Sequence, residues 1–459
     1  MEPDSSRGGP GFTVRLRMAM QNAERRVRKR LTWSRLYRIA SYARSSLWVM
    51  PIIAVALEVA FHWLLRIVDP YVTWRMLDLG VSGAQALFQT VITLTLSFLV
   101  FTFGSLLVAV QVAGGQMTPR IIATLLLQDR VIKYTVTLNV FALMFAVSGL
   151  NRTEDVVHQL ATLVGGLLGI ASIASFLFLI DYAAKLLRPV SIVALVCDDG
   201  MEVVRVVYPK PALVAQGDDS TPGAAAFGAP TRTMNWRGRS QIVLAVQLGT
   251  LVELARRADG VVEIVPQVGD FVATDEPLFN LYGGAAAIKD HVLETTVALG
   301  GERTMEQDPM FAFRILVDIA LKALSPAIND PTTAVLALDQ IHRLLRFVGQ
   351  RHLHDEIIRD ASGHARVALR TPNWRDYAAI SCREIRACGA NNLQIARRMR
   401  AMLENLLRVL PANRRPALDE ELRLLDQVLP GHYPLAEDLA LARVADSQGL
   451  GGAASAERR

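Results

Sequence analysis

The sequence is short of charge and of cysteine. Only 20% of its 459 residues are charged, against about 25% in an ordinary soluble protein. It has three cysteines, Cys197, Cys382 and Cys388. That odd, low number excludes a disulfide framework, and no pair has metal-ligand spacing. No phosphate-binding glycine loop, HExxH helix or nucleophile-elbow pattern occurs. An enzyme of a familiar hydrolytic or nucleotide-dependent kind is therefore not expected. No cofactor and no metal are expected either. An early hydrophobic run of the signal-peptide kind is also lacking, since the first apolar stretch starts near residue 47.

What is present is apolar mass, unevenly spread. Hydrophobic residues make up 51% of the chain and mean hydropathy is +0.28. The length suggests roughly three domains. Four runs have the length of a membrane-crossing helix, about 20 residues: 47–65, 86–112, 131–150 and 160–180. Glu58 and His62 interrupt the first, four residues apart and so on one face. Charges are costly in lipid, so the two should face a helix bundle or pair with each other. Gly165 and Gly169 in the fourth run form a small-xxx-small surface on which another helix can pack.

The second run carries Thr90, Thr93, Ser97, Gly104, Ser105 and Gln111 near one another on a helical wheel. Such a stripe serves either helix packing through small residues or the lining of a water path. The sequence leaves both readings open. Gly114-Gly115 and Thr118-Pro119 predict a break and restart after this run.

The net charge is +6 and the pI about 9.4. Eleven Lys and Arg precede residue 47, and Arg120, Arg130, Lys133, Lys185 and Arg188 flank the second and fourth runs. The positive-inside rule places both termini in the cytoplasm. The basic N-terminal segment reads as an anchor at the lipid surface. Nucleic acid is not an expected partner, since no recognition motif accompanies the charge. The lipid bilayer is one, and four spans are too few to enclose a wide path alone, which points to a homo-oligomer.

Residues 183–208 predict a helix running on from the fourth span, with Val190, Val193, Val196, Val203 and Val207 as its apolar stripe. Proline, glycine and alanine then mark 209–239 as a linker. From Ser240 the pattern is strand-like, with a short helix over 250–258 and strand–turn–strand–turn–strand over 260–283. The VGDFV…EPLF segment resembles the barrel-sandwich fold of biotinyl and lipoyl domains. The lysine-bearing hairpin of those domains has no counterpart, so no attached cofactor is expected. Residues 284–300 are expected to be helical.

Pro309 opens a further helix behind the cap Asp308, burying Phe311, Ile315, Ile319 and Leu324. Asp318 and Lys322 are spaced for an ion pair. The hinge SPAINDP, 325–331, ends that helix at Pro326 and starts the next with Asp330 as cap and Pro331 in the first turn. Asn329 suits a left-handed turn residue. Asp318, Asn329 and Asp330 form the candidate hinge or ligand site. His352 and His354, with Asp355 and Glu356, invite a metal reading, but two residues apart on a helix they diverge. Beyond 376 the chain reads as helices with charged faces, at Arg383, Arg386, Arg397, Arg398 and Arg400 among others.

The fold class expected is membrane α-helical, with four transmembrane helices. A cytoplasmic α+β domain follows, with a small β-barrel or sandwich-like insert and a helical C-terminal part. The expected divisions are 1–46, basic segment; 47–182, membrane helices; 183–239, helix and linker; 240–283, β-rich subdomain; 284–445, helical domain; and 446–459, disordered tail. The four spans, LLVAVQVAGGQMTPRII, VGDFVATDEPL and FRILVDIALKALSPAINDPTTA together resemble the bacterial predicted membrane proteins of domain of unknown function 2254. The resemblance covers about residues 45–440 and implies an integral inner-membrane protein with a cytoplasmic domain. It implies no activity. Three functions follow as expectations: an oligomeric ion channel or transporter; a membrane-anchored sensor or scaffold; and a membrane-anchored enzyme around Asp318, Asn329 and Asp330.

Overall fold

In the computed structural model, the described residues are 33, 37, 43, 46, 48–68, 79–116, 129–154, 156–186, 188–212, 227–353 and 357–451. They fall into two compact units. One combines 1–42, 220–307 and 354–371; the other combines 43–219, 308–353 and 372–459. Most of the basic N-terminal segment, Thr118-Pro119, and His354 with Asp355 and Glu356 lie outside the described residues.

The larger unit begins with apolar helices: α1 (Val49–Val68), α2 (Val81–Gln116), α3 (Arg130–Arg152) and α4 (Gln159–Leu186). Three of them, over Val81–Val108, Arg130–Arg152 and Gln159–Leu186, are long and apolar enough to cross a membrane. The sequence suggested four. The apolar part of α1, Val49–Leu65, is shorter, because Arg66 follows it directly. These helices are apolar on the outside: Leu57, Trp63, Val100, Leu107, Ile170 and Leu177 are all more than half exposed. A surface of that kind suits lipid, where every backbone group is satisfied inside the helix.

Glycines set the packing. An added Cβ at Gly149 of α3 or Gly165 of α4 would come within 2.6 Å of the Phe88 ring of α2. One at Gly169 would come within 2.8 Å of Val91. Phe88 and Val91 are therefore knobs seated on bare backbone, and the Gly165/Gly169 surface has α2 as its partner. The helix of α2 continues through Gly114 and Gly115 to Gln116, where the sequence predicted a break. Two glycines weaken a helix by about 1 kcal/mol each, and that did not suffice to interrupt a 36-residue element.

Pro189 starts a separate helix, α5 (Pro189–Val207), so the fourth span does not run on unbroken. Its buried stripe is Ile192, Val193, Val196, Cys197, Gly200 and Val204, with Val190 outside. It packs on α7 (Pro309–Ala323) and α8 (Pro331–Gly349). At Gly200 a Cβ would come within 2.7 Å of Ala312, which shows how close α5 lies to α7. The helices α9 (Trp374–Gly389), α10 (Leu393–Val409), α11 (Arg415–His432) and α12 (Ala436–Ala442) complete the unit. Arg397, Arg398 and Arg400 of α10 are buried, where the sequence suggested a charged outer face. Arg397 donates to Val444 O, and Arg398 and Arg400 pair with Asp339 and Asp426. Asp446 accepts from the backbone of Gln448, Gly449 and Gly451, and Gln394 donates to Gly449 O. Residues 446–451, expected to open a disordered tail, are thus held by these hydrogen bonds.

Among its described residues the smaller unit holds two sheets and no closed barrel. In the first, β1 (Arg232–Asn235), β5 (Pro277–Gly283), β3 (Gly260–Ile264), β8 (Ala365–Leu369) and β7 (Ile357–Arg359) lie in that order. The pairing of β3 with β8 is parallel. In the second, β2 (Gln241–Val246) lies between β4 (Phe271–Val272) and β6 (Val297–Gly300). The helix α6 (Leu248–Arg257) contributes Leu251 and Ala255 to their shared core. The stretch 284–300 holds only short helical turns and ends as β6, where a helix was expected. Trp33 and Tyr37 pack against Leu244, Ala245 and Ala298.

Candidate functional site in the membrane helices

The buried stripe of α1 is Ala54, Glu58, His62 and Leu65, one residue per turn. Glu58 and His62 thus face the bundle, at 3% and 9% exposure. His62 Nδ1 lies 3.7 Å from Glu58 Oε1, so the pair that the spacing suggested is formed. A third member was not foreseen. Arg152, at the end of α3, brings Nη1 to 3.2 Å from His62 Nε2. The ring of Phe145 closes the imidazole edge-on at 6.3 Å.

This geometry suits one tautomer. Guanidinium only donates, so His62 Nε2 must accept. The ring is then neutral with its proton on Nδ1, toward Glu58. Glu58 Oε1 has no hydrogen-bond partner among the described residues. Ionisable side chains inside membrane helices are costly and mark functional sites by default.

The interior shared by α2, α3 and α4 is polar further along. Thr95 is fully buried, and its hydroxyl donates to Val91 O at 2.7 Å. Ser172 and Asn139 are at 1% and 3% exposure. Ser172 Oγ and Asn139 Oδ1 have no hydrogen-bond partner among the described residues. Asn139 Nδ2 donates to Thr135 O. Thr95 and Ser172 each lie seven residues beyond the Phe88–Gly165 contact, about 10 Å along parallel helices. They therefore share a level. Asn139 is ten residues from Gly149 on the antiparallel helix, about 15 Å from the same contact. At the far end Asp129 caps α3 at Ile132 N and accepts from Tyr182 OH at 2.6 Å, with Lys133 buried beside it. Burial and neighbouring Asp198 push the Asp199 carboxyl of α5 up from its ordinary value, with Arg130 opposing.

The stripe on α2 lies elsewhere. Thr90, Thr93, Ser97, Gly104, Ser105 and Gln111 are all exposed, on the side opposite the buried Phe88, Val91, Thr95, Leu99 and Thr102. The hydroxyls of Thr90, Thr93 and Ser97 donate to backbone carbonyls four residues before them, and Ser105 donates to Thr102 O. A Cβ at Gly104 would meet open space.

The hinge is built as its residues suggest. Asp330 accepts from Thr333 N at 3.1 Å and Thr333 Oγ1 at 2.5 Å, with Pro331 at the first turn. Asn329 has φ +49° and its amide donates to Ser325 O. Asp318 is held by Arg314, one turn before it, which also reaches Glu384. Lys322 was the expected partner. Asp318 and Asn329 are thus each accounted for by separate local contacts. His352 lies beyond the end of α8 and is not on a helix. Cys197 and Cys382 are buried and Cys388 is exposed, all three free; burial pushes the Cys197 thiol up to about 11.

Sequence reasoning missed Arg152, Thr95, Asn139 and Ser172. In the sequence Arg152 is a single arginine after the third apolar run and reads only as a loop charge. Asn139 could have been found: with Thr135, Ala142 and Ala146 it recurs at helical spacing on one face of α3.

An apolar bundle with buried ionisable residues, joined in one chain to α-helical and α/β parts, defines a membrane protein. The chain belongs to the family described as predicted membrane protein, domain of unknown function 2254, which matches residues 44–405. Among curated proteins it is similar to uncharacterised proteins of Mycobacterium tuberculosis strain H37Rv and of Mycobacterium bovis. Each is 25% identical over 371 residues, covering 77% of this chain and 70% of the relative. No solved structure matches.

Proposed function

We propose that the protein is an ion channel or transporter of the bacterial inner membrane that works as a homo-oligomer. The observation that carries this reading is the Glu58–His62–Arg152 network inside apolar helices. A membrane scaffold would have no use for three costly side chains at that depth. The buried Asn139 and Ser172, each with an unsatisfied oxygen, support the same reading. The exposed polar stripe of α2 supports an oligomer, since small and hydroxyl side chains suit close approach of a second copy.

In this reading α1 crosses the membrane as a fourth span, aided by local thinning at its short apolar run. Both termini lie in the cytoplasm, and the α/β and helical parts regulate transport. No catalytic step and no nucleic acid enter the scheme. Purified protein in planar bilayers should pass current, or flux ions in vesicles, under some combination of voltage, pH and tension. Bilayers silent throughout would refute the reading. A partner recovered specifically by the soluble parts, with silent bilayers, would favour a sensor or scaffold.

A further inference from the structure

We propose that the transported ion is the proton and that His62 Nε2 is the atom that receives it, in competition with Arg152. The inference rests on the transport reading above. It starts from the one lone pair in the network that an ionised neighbour occupies. Arg152 Nη1 donates to His62 Nε2. A proton arriving at Nε2 forms an N–H bond there and turns the acceptor into a donor. Two donors cannot share one hydrogen bond, so the Arg152 contact breaks as the N–H bond forms. The imidazolium then pairs with Glu58, whose Oε1 already faces Nδ1 at 3.7 Å. Arg152, at the last position of α3, gives up this contact. When the proton leaves Nε2 for water, the lone pair returns and Arg152 reseats. The proton that enters is the proton that leaves.

The charged groups around His62 support this assignment. On its own helix are Glu58, 3.7 Å away, and Arg66, four positions further on in the sequence. α3 contributes Arg152. α2 has no acidic, basic or histidine residue over its whole length. α4 has only Asp181 and Lys185, near its opposite end, and they pair with each other. Glu154, Asp155 and His158 lie on the link between α3 and α4. A metal cation would find one carboxylate and one imidazole already committed to a guanidinium. A proton needs only the lone pair. The unsatisfied oxygens of Ser172 and Asn139 continue the polar interior toward Asp129, where bound water would complete a chain for proton hopping.

The test uses the full chain in phosphatidylcholine–phosphatidylglycerol vesicles with a trapped pH dye, under a potassium–valinomycin clamp. An external acid pulse should acidify the lumen. His62→Gln should reduce the rate to that of protein-free vesicles, Glu58→Gln should slow it, and Arg152→Gln should not. Sodium and potassium fluxes are measured in parallel. Sodium or potassium flux without proton flux would overturn the proton assignment and leave the transport reading standing. A His62→Gln protein that conducts protons like the native one would also overturn it.

Nitrogen NMR of labelled histidines, with His62 assigned by difference from His62→Gln, reads the site without any flux. A neutral ring protonated on Nδ1, whose protonation in acid moves the Arg152 side-chain signals at the same midpoint, supports the competition. A ring that carries its proton on Nε2 while Arg152 stays in place refutes it. Thermal unfolding and gel filtration of each variant identify those that have merely failed to fold. If no ion moves while the NMR competition is present, the transport reading falls and His62 remains a proton site.

Discussion

Replacing Gly165 with alanine should loosen the membrane bundle, while the same change at its neighbour Gly166 should not. The Cβ added at Gly165 lies 2.6 Å from Cε1 of Phe88, about 1 Å inside ordinary contact between carbons. The ring has no simple retreat, because Gly149 touches the same ring atoms from α3. Overpacking of this kind costs about 1–3 kcal/mol. Alanine also gains about 1 kcal/mol in helix propensity over glycine. That gain cancels in a comparison with Gly166→Ala, whose Cβ would sit 3.6 Å from Leu87, an ordinary contact. Gly165→Ala should therefore be less stable than Gly166→Ala by about 1–3 kcal/mol. Thermal and denaturant unfolding in detergent measure the difference. Phe88→Leu shortens the knob and should recover part of the loss in Gly165→Ala, a coupling of about 0.5–3 kcal/mol in a double-mutant cycle. Equal stabilities for the two alanine variants, or strictly additive effects with Phe88→Leu, would show that Phe88 is not the group that excludes a side chain at Gly165.

Three further outcomes are expected. Asp330→Ala should cost about 0.5–2 kcal/mol by loss of the cap, while Asp330→Ser should be nearly neutral; ion flux unchanged in both would confirm that the hinge is structural. Glu421→Gln should destabilise the helical part by several kcal/mol, about 3–5 for one member of a buried pair, because it leaves Arg386 short of its carboxylate at a site where Glu421 is only 2% exposed. His342 lies in the helical part, and burial, the largest cause, lowers its affinity for protons, as do Arg398 and Arg346, against the pull of Asn405 and Asp339. The unfolded chain therefore binds the extra proton more readily. Stability contributed by the neutral ring is present above about pH 6.5, the ordinary imidazole value, and is lost as pH falls below it. Unfolding measured between about pH 7.5 and 5.5, within the range spanned by that imidazole value, should show a shallower loss in His342→Gln than in the native chain.

How much of this could be read from sequence depended on the range of the chemistry. The hinge was legible to the residue, because a cap, a first-turn proline and a left-handed asparagine act over four positions. Asp308 and Asp330 cap the helices they were expected to cap. The glycine surface on α4 was legible as a surface, but its partner was not. The parallel pairing of β3 with β8 joins residues about a hundred positions apart, and no local pattern announces it. It also explains why the 25-residue resemblance to a barrel-sandwich did not give the sheet: β3 and β5 lie inside that window, but β1, β7 and β8 come from outside it.

The membrane helices posed a different difficulty. In a soluble helix the apolar stripe marks the inside. Here the outside is apolar too, so a stripe of threonine, serine and glycine on α2 could be assigned to either side. Its side chains are exposed, and the helix faces its own bundle with Phe88, Val91, Thr95 and Leu99. What does mark the inside is residue cost. Glycines that admit a ring, and ionisable groups that lipid would not tolerate, occur where helices meet: Gly149, Gly165, Glu58 and His62. By the same rule Arg152 belongs to the interior network, although its place at a helix end made it resemble a loop charge. Orientation by charge count treats every arginine as an anchor in water, and Arg152 shows how that fails when a terminal arginine turns inward to a histidine. The loop charge on that side of the membrane is then smaller still, which strengthens the proposal that both termini lie on the other.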